Sequence, residues 1–132
     1  MTIEEGLFAF VTGDVDVHAL IGSRMYALRL PQEPKPVFPA IVYQRVDGDR
    51  ERAGDGPTHL ATGTYTLTCW AWTYEMAKSL ARLVRRTLDG AAGPFGDVEV
   101  GWVFAKDSSD DYEDDLKLYG RIVELTIQYA ED

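Results

Sequence analysis

Residues Thr62–Gly90, TGTYTLTCWAWTYEMAKSLARLVRRTLDG, decide the fold. From Thr64 to Ala71 the residues alternate, with Tyr65, Leu67, Cys69 and Ala71 on one side and Thr64, Thr66, Thr68 and Trp70 on the other. Period two with β-branched and aromatic residues predicts a half-buried strand. At Thr73 the period changes. Met76, Leu80, Leu83, Val84, Thr87 and Leu88 recur at helical spacing. Thr73 suits an N-cap, and Gly90 is placed to end the helix. Lys78, Arg82, Arg85 and Arg86 share the outer side. The strand offers an apolar face and the helix an apolar stripe, and each buries the other.

Working outward, Thr2-Ile3-Glu4-Glu5 is a capping-box pattern. Ile3, Leu7, Phe10 and Val11 make one stripe, so a first helix is expected over about Ile3–Val11. Gly13-Asp14 breaks it, and Asp14 caps a second short turn carrying Val17, Leu20 and Ile21. Pro31, Pro34, Pro36 and Pro39 mark an extended connector, because each lacks a donor and biases its predecessor away from helix. It reads as a stiff loop feeding a strand rather than a proline-motif ligand. Ala40–Val46 is the first clear strand. Asp47–Gly63, polar and glycine-rich, reads as a long arm. Val98–Phe104 is a third strand, Ala105–Leu116 an acidic loop, and Tyr119–Tyr129 the last strand. The order predicts an α+β fold: a single antiparallel sheet of about four strands, with a long central helix and an N-terminal helix packed on one face. Residues 1–132 are read as one domain.

Composition narrows the function. A net charge of −9 argues against sequence-independent nucleic-acid binding, which needs an excess of Lys and Arg, but is compatible with a pore that lets DNA pass. One cysteine makes no internal disulfide, which points to a reducing compartment. No apolar run is long enough for a membrane span, and no signal-peptide pattern is present, so a soluble protein is expected.

No constellation recommends catalysis, a metal or a cofactor. His18 and His59 have no Cys or His partner at metal spacing. Cys69, mid-strand, reads as a buried thiol. The acidic stretch fails the EF-hand test: counted from Asp107, position six is Tyr112 and position twelve is Leu118. Asp47-Gly48-Asp49-Arg50-Glu51 fails as well, with Arg52 at position six. Two features suggest interfaces instead. The basic helix side (Lys78, Arg82, Arg85, Arg86) and the acidic stretch (Asp107, Asp110, Asp111, Glu113, Asp114, Asp115) are complementary, within a subunit or between subunits, or are two independent solvated surfaces. Trp70 and Trp72 share the face opposite Leu67 and mark an interface unless an arm or a terminus covers them.

The chain resembles the tail-terminator (tail-completion) proteins of long-tailed phages and phage-derived gene transfer particles. The resemblance lies in Leu20-Ile21-Gly22-Ser23-Arg24-Met25-Tyr26; in Leu30-Pro31-Gln32 and Phe38-Pro39-Ala40-Ile41-Val42-Tyr43-Gln44-Arg45-Val46; and in Ala61-Thr62-Gly63-Thr64, Trp70-Ala71, Tyr74-Glu75-Met76-Ala77 and Leu88-Asp89-Gly90. After Gly90 it rests on layout, and the acidic Asp107–Asp115 segment departs from it. The resemblance implies a non-enzymatic virion protein without cofactors. It implies a homo-oligomeric ring, typically of six subunits, at the head-proximal end of the tail tube. Such a ring contacts the major tail tube protein and the head connector or stopper, and DNA passes through it without specific binding. It also implies assembly in the host bacterial cytoplasm, away from membranes. The acidic stretch, or the arm with Asp47, Asp49, Glu51 and Asp55, is then expected to face the lumen. A head–tail stopper or joining protein, and a small ligand- or peptide-binding module, are the alternatives.

Overall fold

The computed structural model describes residues 1–32, 35–46 and 60–131, together with the backbone of Glu51–Arg52. Three helices, α1 (Ile3–Gly13), α2 (Val15–Ile21) and α3 (Tyr74–Leu88), lie against one curved sheet. Its strands are β1 (Met25–Ala27), β2 (Ala40–Arg45), β3 (Glu51–Arg52), β4 (Leu60–Ala71), β5 (Gly93–Phe95), β6 (Val98–Glu113) and β7 (Leu118–Ala130). Six of them follow the spatial order β1-β2-β4-β7-β6-β5, and β3 pairs with β4 off that path. All neighbours are antiparallel except β1, which runs parallel to β2.

This corrects the expected four-stranded antiparallel sheet with two helices. The sheet is mixed, has six strands along its main path and curves into a half-barrel around three helices. The missed strands are short and weakly signalled. β1 and β5 have three residues each, and Pro94 in β5 is tolerated because β5 is an edge strand. A larger correction concerns the acidic stretch. Asp107, Asp110, Asp111 and Glu113 lie on β6, which pairs with β7 as far as Glu113↔Leu118; only Asp114 and Asp115 occupy the turn. Acidic residues disfavour strands in isolation. Here twelve residues of β7 hold the strand in place by backbone pairing.

The local signals that set the helices are met in detail. Thr2 and Glu5 form the reciprocal capping box of α1, and Asp14 caps α2 by accepting from the amides of Asp16 and Val17. Thr73 caps α3 by accepting from Met76 N at 3.2 Å. β4 alternates buried and half-buried residues along its whole length. Its Tyr65, Leu67 and Cys69 meet Leu80, Ala81, Val84 and Leu88 of α3 and Val123, Leu125 and Ile127 of β7 in one cluster. α1 contributes Ile3, Leu7 and Val11 to it, and α2 adds Val17 and Ile21.

α1 approaches β5 closely at Gly6. A Cβ there would lie 2.5 Å from the carbonyl oxygen of Phe95 and 3.3 Å from its Cβ, so backbone would have to move. Gly13, in the same helix, has nothing within 4 Å of an added Cβ. Gly6→Ala is therefore expected to destabilise the fold by about 1–3 kcal/mol. Gly13→Ala should be neutral or stabilising by up to about 1 kcal/mol. Urea unfolding of both variants checks this, and equal effects would refute the packing argument.

Candidate assembly surfaces

The central helix and the long hairpin lie side by side in opposite directions. At the start of α3 the Tyr74 hydroxyl donates to Asp110 Oδ2 at 3.2 Å. Three turns on, Arg85 Nε lies 3.7 Å from Asp107 Oδ2. Just past the helix, Gly90 N donates to Val103 O and Ala105 N to Asp89 Oδ1. α3 thus runs from Asp110 back towards Val103.

Two register shifts on β6, at Val100/Trp102 and at Asp107/Ser109, decide which side chains face the helix. The second re-phases the strand by one residue, as β-bulges do. Asp107 and Asp110 therefore share the helix side, whereas simple alternation puts them on opposite faces. Asp110 stands across from Arg121, and Arg121 Nη1 donates to Asp110 Oδ1 at 2.6 Å. Beyond that pair, Tyr112, Tyr119 and Tyr74 make edge-on contacts, with centroids 5.1 Å apart for Tyr112–Tyr119 and 6.3 Å for Tyr74–Tyr119. A polar and aromatic plug thus closes the core at the start of α3.

Of the basic helix side, Lys78, Arg82 and Arg86 are exposed, while Arg85 is half-buried against Asp107. Lys78 Nζ lies 6.0 Å from the centre of the Tyr74 ring. Part of the acid–base complement is thus made within one subunit. Asp111 and Glu113 point to the opposite face of β6, and Glu113 Oε2 accepts from Leu116 N at 2.7 Å to tighten the turn. Asp47, Asp49 and Asp55 lie outside the described residues, as does the side chain of Glu51.

Trp70 and Trp72 are placed differently from one another. Trp70 is half-buried, with its ring lying over Gly120, its partner across β4–β7. A Cβ on Gly120 would come within 2.8 Å of that ring. Trp72 is 55% exposed and makes a T-shaped contact with Phe38, at 5.1 Å between centroids. On the same sheet face Leu28, Arg29 and Leu30 rise beside Val42, Thr66, Thr68 and Trp70, so the connector after β1 shields part of it. Phe104, 65% exposed beside Trp102, is a second aromatic site on this face.

A network absent from the sequence reading ties α1 to three strands. Arg45 Nη1 donates to the hydroxyls of Tyr65 at 3.1 Å and Tyr129 at 3.5 Å, and lies 3.7 Å from Glu4 Oε2. The Tyr65 hydroxyl in turn donates to Glu4. Burial, then the bond to Glu4, pushes the Tyr65 pKa well up, so it stays a donor. Gly63 makes room for Arg45, whose Nη2 would be 2.9 Å from a Cβ there. No spacing rule could have found this set, because its members lie far apart in sequence.

Cys69 is fully buried and burial raises its thiol pKa. His18 Nδ1 lies 3.1 Å from Thr12 O, and His59 lies outside the described residues. Among the described residues no three His, Cys, Asp or Glu side chains converge to hold a metal.

A profile of the family described as Tail completion protein gp17 matches residues 5–130. The chain belongs to that family. It is accordingly a structural component of a phage-type tail, associated with the virion and assembled with other virion proteins. The family is structural rather than typically enzymatic. A chain in the solved virion of a native gene transfer agent particle has a similar fold, with a TM-score of 0.69 at 16% identity over 95% of this chain and 92% of that one. A second solved chain gives a TM-score of 0.49 at 12% identity over 98% of this chain and 95% of that one, too distant to add to the comparison. No curated protein matches in sequence. The tail-completion assignment extends the likeness past Gly90, where the sequence motifs ended, to the whole β6–β7 hairpin.

The Asp110–Arg121 pair gives this hairpin a pH dependence. The bond from Arg121 holds the Asp110 carboxyl below the usual carboxylate range, helped by the Tyr74 hydroxyl. A pKa depressed in the folded state stabilises above the unfolded value and is lost as pH falls through the folded one. The Asp110 carboxyl in the intact protein should therefore titrate below an ordinary Asp by carbon-detected NMR. In Arg121→Gln it should move back up, and an unchanged value would mean that the pair is not formed.

Proposed function

We propose that this tail-completion protein caps the head-proximal end of the tail tube as a closed ring, of six subunits in the simplest case. The ring stops tube polymerisation and presents its other face to the head connector. The observation that carries this reading is the family match over residues 5–130. The molecule's build agrees with it. A ring needs a heterologous interface that closes on itself, with different surfaces at the two sides of each subunit. The β6–β7 hairpin and the outer side of α3 are two such surfaces. The protein acts here by binding and geometry, not by catalysis, and no cofactor enters. DNA passes through without specific binding, which suits a chain with a net charge of −9. Its partners are the major tail tube protein on one side and the connector or stopper on the other. Assembly takes place in the host cytoplasm.

Electron microscopy of particles produced without this protein tests the reading. Tubes of abnormal length without heads are the expected result. Tails of normal length lying free beside filled heads would instead make the protein a joining or stopper component. Normal, infectious particles would overturn both and turn attention to a ligand-binding role for the Trp70/Trp72 face.

A further inference from the structure

Charge pairing within one copy is selective. Arg85 meets Asp107, Arg121 meets Asp110, and Lys106 Nζ lies 3.6 Å from Glu124. Lys78 is among the charges acting on Asp110. Among the described residues, Arg82 and Arg86 on α3 are paired with no carboxylate, and Asp114 and Asp115 in the hairpin turn with no cation. All four are exposed.

The two unpaired sets cannot meet in the same molecule. Asp110, fixed to Tyr74, lies between them. Arg82 and Arg86 lie eight and twelve residues along the helix from Tyr74, about 12 and 18 Å at ~1.5 Å per residue. Asp114 lies four residues beyond Asp110 the other way, about 13 Å at ~3.3 Å per residue. The gap is roughly 25 Å or more, beyond the reach of two side chains. A surface and its complement at opposite ends of one copy describe a head-to-tail contact.

We infer that the β6–β7 turn of one copy docks on the outer face of α3 of the next, with Asp114 and Asp115 against Arg82 and Arg86. The inference rests on the ring reading above and names the contact that closes it. The surroundings fit. Leu116, 41% exposed, stands beside the two carboxylates. Leu83 is half-buried on the helix between Arg82 and Arg86. Leu116 on Leu83 supplies an apolar centre and the charges a polar rim. Lys117 also sits in the turn, with a left-handed backbone of φ 55°, and its single positive charge against Asp114 and Asp115 leaves the turn net negative. Rim charges mainly set orientation and association rate and are screened by salt. This contact assigns the turn carboxylates to the subunit interface and not to the lumen.

The test is a charge exchange in the complete particle. Arg82→Glu with Arg86→Glu, and separately Asp114→Lys with Asp115→Lys, should each give a folded protein by circular dichroism that loses control of tail length. All four substitutions together should restore tails of normal length. Normal tails from either pair alone, or no rescue from the combination, would overturn this contact while leaving the capping role intact. Normal particles in the complete absence of the protein would strike the capping role instead. As an independent check, Arg82→Cys combined with Asp115→Cys should give disulfide-linked oligomers on assembled tails, because the only native thiol, Cys69, is buried. Monomer alone under oxidising conditions would overturn the contact.

Discussion

The fold depends on one amphipathic helix seated in the hollow of a curved sheet. Leu80, Val84 and Leu88 of α3 are fully buried against Leu67, Val123 and Leu125. Burying side chains of this kind stabilises by about 1.5–3 kcal/mol each, so this contact outweighs any surface ion pair in the molecule. The sheet can curve only because something fills its concave side. α1 and α2 extend the filling towards β5 and β1, where α3 does not reach. At the other end the filling changes character: Arg121, Asp110 and three tyrosines replace aliphatic carbon. The core is thus closed by polar groups at both ends, by Glu4, Arg45, Tyr65 and Tyr129 at one and by Asp110 and Arg121 at the other, and the long hairpin projects from the second.

The parts legible in the sequence are those governed by neighbours close along the chain. The caps at Thr2, Asp14 and Thr73 are contacts between residues two or three apart. The alternation of β4 and the stripe of α3 are periodic signals; the strand alternates as expected, and the helix buries Leu80, Val84 and Leu88 of its expected stripe together with Ala77 and Ala81, while Met76 is exposed. What was illegible depends on partners far away. β1 exists because β2 lies beside it, and three residues carry no period of their own. The far half of β6 reads as a solvated loop, since six carboxylates in nine residues favour water over pairing. β7 supplies the backbone partners that reverse that preference.

The surfaces show the same division. That Lys78, Arg82, Arg85 and Arg86 share one side of a helix follows from spacing alone. That Arg85 is engaged with Asp107 while Arg82 and Arg86 are not depends on where β6 crosses the helix and on a bulge that turns Asp110 inward. The tryptophans divide likewise. Alternation placed both on the outer face, but only the register Trp70↔Gly120 explains why one lies down on the sheet and the other stands free. The Glu4–Arg45–Tyr65–Tyr129 network draws on one helix and three strands and left no trace in any local pattern.

The outer edge of β6 has a consequence for the subunit before assembly. Past Ala105, whose amide donates to Asp89, this edge continues to Glu113 with no strand beside it among the described residues. A bare edge of that length is a template for fibre growth. Here Asp107, Asp110, Asp111 and Glu113 lie along it, the first two engaged with Arg85 and Arg121, and a register shift between Asp107 and Ser109 breaks its flat pairing. Charged side chains and a bulge are the features that keep a strand edge from pairing with another copy.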